Sequence, residues 1–123
     1  MDATMKIGVE VLNELNVTNY VDISQRFNRQ RAFTRAGLAV ETSARLKAPV
    51  RTGHLKRNIV STATDTYAEI GVDLNVVPYA WYQEAGTSRM QAHPYLRPAL
   101  ESRRPAIIAI FKDEIDKATK GGN

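Results

Sequence analysis

The chain has 123 residues, no cysteine, and a formal net charge of +4 from 17 Lys and Arg against 13 Asp and Glu. The missing cysteines exclude disulfides, thiolate nucleophiles and the common structural zinc sites. No apolar run of about 20 residues and no secretory leader is visible, so we expect no membrane span and synthesis in the cytoplasm. The length predicts a single domain, residues 1–123, with 1–20 as an N-terminal strand or arm and 121–123 as a flexible tail.

An N-terminal strand is the first predicted element. Residues 5–12 alternate between apolar and polar side chains, with Ile7, Val9 and Val11 on one side, which is the period of a half-buried strand. Residues 13–20 are rich in Asn and Thr, which favour turns and caps, so this segment is predicted to be a connection.

A long helix is predicted next. Asp22 or Ser24 can cap its N-terminus, and Pro49 forbids its continuation beyond Ala48. At 100° per residue, one stripe holds Phe33, Ala36, Val40 and Ala44, with Ala32, Ala39, Ser43 and Leu46 beside it. These small side chains predict close packing against a sheet or another helix.

Three arginines lie on the other side of this helix, at Arg31, Arg35 and Arg45. We favour a solvated helix back for them. The alternative is a surface that faces an acidic subunit or DNA, although a helix that reads a DNA groove gathers its basic residues on one narrow face among hydrogen-bonding side chains.

A turn and a hairpin are predicted in the middle of the chain. Residues 49–55 read as a helix stop followed by a Thr-Gly turn. Residues 59–64 and 67–72 have the pattern of two antiparallel strands that are joined at Asp65–Thr66, and the second strand buries one face. Residues 73–77 form a loop or a short edge strand.

Residues 78–100 hold the only Trp, three of the five Tyr and three of the five Pro. Pro78 suits a first helical turn, and residues 79–84 form a short helix or an extended segment, of which we favour the helix. Gly86 is well placed to cap that helix, and residues 87–92 are predicted to be an exposed loop.

Two helical segments are predicted at the C-terminus. Pro98 begins the first, over about 97–103, and Pro105 separates it from the second, over 105–119. The apolar stripe of the second comprises Ile107, Ile108, Phe111, Ile115 and Ala118. Ion pairs at i,i+4 are expected on its solvated side, Asp113 with Lys117 and Asp116 with Lys120.

Catalysis and metal binding are disfavoured. His54 and His93 are far apart in sequence and lack a metal-binding spacing. Glu84 and His93 could form an acid/base pair, but a carboxylate that caps a turn is the favoured interpretation of Glu84. Neither a phosphate-binding glycine loop nor a Gly-x-Ser-x-Gly elbow occurs. We therefore expect no enzymatic activity and no cofactor.

The aromatic residues of 78–100 allow two interpretations. Tyr79, Trp81, Tyr82 and Tyr95 could stack on nucleobases, but only Arg89 and Arg97 lie near them in sequence. Core packing and a subunit interface are favoured, since Tyr and Trp combine a large contact area with a polar tip.

Three sequence blocks carry a resemblance to a known family. They are Pro49-Val50-Arg51-Thr52-Gly53-His54-Leu55-Lys56-Arg57-Asn58-Ile59, Tyr79-Ala80-Trp81-Tyr82-Gln83-Glu84-Ala85-Gly86-Thr87, and His93-Pro94-Tyr95-Leu96-Arg97-Pro98-Ala99-Leu100. In order and approximate spacing they resemble the small tail-component proteins of tailed bacteriophages, which look like neck proteins of the head-to-tail junction. Arg51, Asn58 and Ala85 depart from the pattern, which is often acidic, usually Ser and usually aromatic at these positions.

The resemblance implies a structural virion protein without catalytic activity. Such a protein is made in the host cytoplasm and assembles as a homo-oligomeric ring at the neck or the tail end. Its expected partners are copies of itself and the neighbouring head-closure or connector and tail-terminator proteins. Contact with DNA in the ring channel, without base recognition, is compatible with this role. The alternative function is a nucleic-acid-binding module that uses the basic helix face.

Two groups of residues are expected to carry the role. The assembly surface comprises Tyr79, Trp81, Tyr82, Glu84, Gly86, Thr87, Arg89, Met90, His93 and Tyr95. Structural turns are expected at Pro49, Thr52, Gly53, Leu55, Pro94 and Pro98. The predicted fold class is α+β, with a small antiparallel β-sheet packed against a long helix and a C-terminal helix.

Overall fold

The computed structural model of the chain describes residues 3–48, 53–88 and 91–120. Its elements, in order, are β1 (Ala3–Ile7), α1 (Val9–Glu14), a 3-10 helix (Val17–Asn19), α2 (Arg29–Lys47), α3 (Gly53–Arg57), β2 (Val60–Ala63), β3 (Ala68–Val72), α4 (Ala80–Ala85), α5 (Leu96–Ser102) and α6 (Arg104–Thr119). The fold is α+β, as predicted, since a small antiparallel sheet packs against the long helix α2 and α6 packs on α2.

The sheet has the strand order β1-β3-β2, and both pairings are antiparallel. The predicted hairpin is confirmed: the N–H of Thr64 donates to the carbonyl of Tyr67 at 2.8 Å, across the turn at 65–66. The central strand β3 buries Ala68, Ile70 and Val72, which is the predicted face. As the middle strand it is covered by neighbours on both edges, whereas β1 and β2 form the outer edges.

The N-terminal strand ends earlier than predicted. β1 stops at Ile7, and α1 begins at Val9 after Gly8. Leu12 and Leu15, spaced by one helical turn, are both buried, whereas Val9 is exposed. The helical spacing of the leucines therefore overrides the short alternation over residues 5–12. The predicted connection at 13–20 contains the end of α1 and the 3-10 helix.

The long helix begins at Arg29, later than either predicted cap would place it. The side chain of Asn28 is the actual cap and accepts the N–H of Arg31 at 3.0 Å. Asp22 instead accepts the N–H of Ser24 at 3.0 Å and its hydroxyl at 2.5 Å, which closes a local turn. The C-terminal end agrees with the prediction, because Ala48 is extended, as a residue before proline prefers.

The predicted apolar stripe of α2 forms the centre of the core. Phe33, Ala36, Val40 and Ala44 are all buried. Gly37 brings the helix close to the sheet, since a Cβ at this position would lie 3.2 Å from the Cβ of Ala68. Leu46, expected beside the stripe, is 72% exposed, so that part of the prediction was wrong.

The predicted break in the C-terminal region is confirmed. α5 ends at Ser102 and α6 begins at Arg104, with Pro105 in its first turn, where the missing N–H costs nothing. The ring of Phe111 in α6 makes edge-to-face contacts with the rings of Phe33 and Phe27, and the distances between ring centroids are 5.3 Å and 5.8 Å. α6 thereby packs on the N-terminal half of α2 and closes this part of the core.

Candidate assembly surface

The corner between α4 and α5 is organised by Glu84. One carboxylate oxygen, Oε1, accepts the N–H groups of Tyr95 and Leu96, each at 2.9 Å, and Oε2 accepts that of Arg97 at 3.3 Å. These are N–H groups at the start of α5, which have no partner within the helix. A negative charge at this position also stabilises the helix dipole. The capping interpretation of Glu84 agrees with the structure.

The end of α4 also matches its prediction. Gly86 has φ 75° and ψ 178°, a conformation that favours glycine, and its N–H donates to the carbonyl of Tyr82 at 2.8 Å. Pro78 precedes the N-cap residue Tyr79, so it lies before the helix and not in its first turn. The N–H of His93 donates to the carbonyl of Gln83 at 2.8 Å and ties the following loop back to α4.

The expected assembly residues divide into exposed and buried ones. Trp81 is 45% exposed and Tyr82 is 51% exposed, and they lie next to each other on α4. Thr87 and His93 are also exposed, whereas Tyr79 and Gly86 are partly buried. Arg89 and Met90 lie outside the described residues.

Tyr95 is a core residue, and its expected place on the assembly surface was wrong. Its side chain is fully buried, and its hydroxyl donates to the carbonyl of Ala80 at 3.2 Å. Burial, together with the nearby charge of Glu84, raises the pKa of Tyr95 well above its usual value. Tyr95 therefore anchors the buried side of α4 to the core, and Trp81 and Tyr82 lie on the exposed side of the same helix.

The expected turn residues occupy different environments. Gly53 and Leu55 belong to α3, so this part of the predicted turn is a short helix, and Leu55 is fully buried. The apolar side chain of Leu55 gives that helix a core contact that the Thr-Gly pair did not reveal. Pro94 is exposed, and Pro98 lies in the first turn of α5. Pro49 and Thr52 lie outside the described residues.

Two arginines of α2, Arg31 and Arg35, bind carboxylates of α6. Arg31 Nη2 lies 2.7 Å from Glu114 Oε1, and Arg35 Nη1 lies 2.7 Å from both Glu114 Oε2 and Asp113 Oδ2. The interpretation as a solvated helix back was therefore wrong for these two residues. The sequence held a signal for this contact, because Glu114 falls three residues after Phe111 on the buried side of α6.

The buried carboxylate of Glu114 is kept ionised by these arginines. Burial alone raises the pKa of Glu114, but the hydrogen bonds from Arg31 and Arg35 outweigh it and hold that pKa below its usual value. The hydrogen bonds from Arg35 and Lys117 likewise lower the pKa of Asp113. The predicted pair of Asp113 with Lys117 is present at 3.1 Å, and it extends the same network.

In the ranges 3–48, 53–88 and 91–120, no group of three or more His, Asp or Glu side chains is placed to hold a metal ion. No helix in these ranges is both long enough and apolar enough to cross a membrane. Comparisons of the chain with protein-family models, with curated proteins and with solved structures found no match.

Proposed function

We propose that the protein is a structural subunit of a tailed phage particle, and that it forms a homo-oligomeric ring at the head-to-tail junction. In this role it is a neck or tail-completion component without catalytic activity. The observation that carries the proposal is the pair of exposed aromatic side chains, Trp81 and Tyr82, on the α4–α5 corner. Exposed Trp and Tyr are enriched in the energetically dominant parts of protein interfaces.

The rigidity of the corner supports an interface role. Glu84 fixes the start of α5, Gly86 ends α4, and the buried Tyr95 holds α4 from the core side. Side chains on such a preorganised element lose little additional freedom when a partner binds. The resemblance of three sequence blocks to phage tail-component proteins supports a ring at the head-to-tail junction as the assembly to which this interface belongs.

A closed ring determines which surfaces of the subunit remain available to other proteins. Each subunit of a closed ring uses two different surfaces, one for each neighbour. The remaining surfaces are then available to the head-closure or connector protein on one side and to the tail terminator on the other. DNA in the channel meets the net positive charge of the subunit, and such contact needs no base recognition.

The ion pairs of α2 weigh against the alternative function of a nucleic-acid-binding module. Arg31 and Arg35 are the central basic residues of the helix face, and both bind carboxylates of α6. A charge that is already neutralised within the chain contributes less to phosphate binding. The module predicts binding to DNA that falls steeply with salt, and a gel-shift titration at low and high salt tests it.

Genetic replacement in the phage that encodes the protein tests the proposal. Without the gene, we expect DNA-filled heads and separate tails in electron micrographs of the lysate. The unchanged gene restores joined particles, and so does a control with Tyr20→Ala, which removes an exposed aromatic residue elsewhere. The double variant Trp81→Ala/Tyr82→Ala is expected to fold but to leave heads and tails apart.

The location in the particle gives the decisive outcome. We expect mass spectrometry of purified particles to detect the protein, and a reconstruction of the junction to place it as a ring there. Joined particles in the absence of the gene, or purified particles that lack the protein, would overturn the proposal.

A further inference from the structure

The positive charge of the chain is concentrated in one segment. Residues 42–64 contain five Lys and Arg and no Asp or Glu, and the five are Arg45, Lys47, Arg51, Lys56 and Arg57. Without these five, the 17 Lys and Arg of the chain fall to 12, against 13 Asp and Glu, so the rest of the chain has a net charge of −1. The net charge of +4 therefore originates in residues 42–64.

The fold places most of these cations at the C-terminal end of α2. Lys47 is the last residue of α2, and α3, which begins at Gly53, packs against that helix. Arg45 joins the two elements, because its Nη2 donates to the carbonyl of Ile59 at 2.9 Å, and Ile59 follows α3 closely in the chain. The same guanidinium lies 3.4 Å from Glu41, which compensates its charge.

We call Lys47, Lys56 and Arg57 the basic end. All three residues are exposed, and among the residues that the structure describes no carboxylate forms an ion pair with any of them. At 100° per residue, Arg57 lies about 160° around α3 from the buried Leu55, so it projects to the outer side of this helix. A Cβ at Gly53 would lie 2.9 Å from Nη1 of Arg57, so the glycine leaves room for the guanidinium there.

Two polar side chains beside the basic end are occupied within the chain. The amide nitrogen of Asn58 donates to the carbonyl of His54 at 2.7 Å, and Nε2 of His54 lies 3.1 Å from the carbonyl of Val76. Groups that are held in this way do not reach base edges in a DNA groove. The surface therefore offers positive charge on long side chains, which suits phosphate oxygens, and phosphate contacts carry no sequence information.

We propose that the basic end binds the phosphate backbone of double-stranded DNA without reading its sequence, and that this end of each subunit faces the channel of the ring. The inference rests on the proposed function for the ring, and it adds which part of the subunit meets the DNA. DNA suits this surface better than an acidic protein, because lysine is depleted in protein–protein interfaces. The helix face of Arg31 and Arg35 is less suited, because Glu114 compensates those charges.

Fluorescence anisotropy tests the contact with purified full-length protein and a labelled DNA duplex of about 30 base pairs, over a range of salt concentrations. The variant Lys47→Gln/Lys56→Gln/Arg57→Gln removes the charges of the basic end. The variant Lys47→Arg/Lys56→Arg/Arg57→Lys keeps these charges and changes only the side chains. Lys56→Gln alone is a milder change that serves if circular dichroism shows the triple Gln variant to be unfolded.

The matched control loses the same net charge elsewhere. Its substitutions, at exposed positions outside residues 42–64, are Arg26→Gln/Lys112→Gln/Lys120→Gln. The control separates a local contact from the general attraction between DNA and the net charge of the protein.

The contact predicts that the unchanged protein binds duplexes of different sequence equally, and that binding weakens as salt rises. Each phosphate contact contributes about 1 to the slope of log Kd against log salt concentration, so loss of the basic end lowers this slope by about 3 and weakens binding about 10-fold or more at low salt. Lys56→Gln alone lowers the slope by about 1. The charge-keeping variant and the matched control retain the slope of the unchanged protein.

Three results would overturn the inference. Equal losses in the triple Gln variant and in the matched control would assign the binding to net charge alone. Binding that the triple Gln variant leaves unchanged would place the DNA on another surface. No binding at low salt would leave an acidic protein as the partner of the basic end.

The outcome is independent of the particle experiment. A ring found at the junction, made of a protein that does not bind DNA, would leave the proposed function standing and remove this contact. DNA binding through the basic end by a protein that is missing from particles would do the reverse.

Discussion

Two glutamates each fix one helix, Glu84 at the α4–α5 corner and Glu114 at the contact between α2 and α6, and they bind different partners. Glu84 accepts three backbone N–H groups of α5. Glu114 accepts the guanidinium groups of Arg31 and Arg35. The first carboxylate is partly buried, and the second is almost completely buried.

The difference shows how each contact depends on the rest of the molecule. Backbone N–H groups are present at the start of every helix, so a capping carboxylate needs only the correct local chain path. A buried carboxylate needs cations from another element, and without them it would carry an uncompensated charge. The corner is therefore a local feature, and the α2–α6 contact exists only after the fold has brought distant residues together.

Glu114→Gln is the change with the largest expected effect. Gln keeps the size of the side chain but removes the charge and turns an amide towards two guanidinium groups. Removal of one partner from a fully buried ion pair costs about 3 to 5 kcal/mol. Because Arg31 and Arg35 are partly exposed and can turn to water, we expect a loss of about 2 kcal/mol in the free energy of unfolding. Urea denaturation measures it.

The control for this change is Glu101→Gln. Glu101 forms an exposed ion pair with Arg97 at 3.2 Å, and such pairs contribute about 0.5 kcal/mol or less. Equal losses in the two variants would mean that burial adds nothing to the contact of Glu114 with α2.

Acidification should weaken the same contact. The pKa values of Glu114 and Asp113 are lower in the folded chain than their usual values. As the pH falls, the unfolded chain therefore binds protons at these carboxylates before the folded chain does. The stability that the two carboxylates contribute is complete above about pH 5 and is lost as the pH falls through their pKa values in the folded chain. We expect the free energy of unfolding to fall from about pH 5 to pH 3. In Glu114→Gln this fall is smaller; an unchanged fall would assign it to other carboxylates.

Local patterns predicted much of the fold. The hairpin, the cap at Gly86 and the break before Pro105 each depend on a few neighbouring residues, and each is present in the structure. The start of α2 was misplaced because Asp22 has a hydrogen-bonding alternative within its own turn. Whether Asp22 caps a helix or closes a local turn depends on which conformation the rest of the chain stabilises. Cap preferences alone do not reveal that choice.

The candidate site was predictable to a similar extent. The capping by Glu84 followed from the local sequence around a short helix, whereas the sequence left both core packing and a subunit interface open for Trp81. The burial of Tyr95 did not, because it depends on how α5 meets α4 after folding. The pairing of Arg31 with Glu114 joins residues 83 positions apart, so only a three-dimensional arrangement reveals it.

Glu84→Gln sharpens the comparison between the two glutamates. The remaining carbonyl oxygen can still accept two of the three backbone N–H groups, so the loss consists mainly of one hydrogen bond and the charge at the helix start. We expect a decrease of about 1 kcal/mol in the free energy of unfolding, half the effect of Glu114→Gln. Glu101→Gln, which changes an exposed carboxylate near the C-terminal end of α5 and not at a helix start, is again the control and should change little.

Hydrogen exchange adds a local readout to this change. The amides of Tyr95, Leu96 and Arg97 should exchange faster in Glu84→Gln, while those of α2 keep their protection. Faster exchange across the whole chain, in excess of the loss of global stability, would show that Glu84 supports more than the corner.

Tyr95→Phe has the smallest expected effect on the free energy of unfolding. It tests how much the hydrogen bond of Tyr95 contributes to anchoring α4 to the core. The change removes the hydroxyl that donates to the carbonyl of Ala80 and keeps the buried ring. One hydrogen bond between neutral groups contributes about 1 kcal/mol or less to the free energy of unfolding. Tyr20→Phe removes a hydroxyl from an exposed ring and is the matched control, with no measurable change expected. If Tyr95→Phe unfolds like the unchanged protein, packing of the ring, and not its hydrogen bond, positions α4. The exposed pair Trp81 and Tyr82 would then depend on Glu84 and the core contact alone.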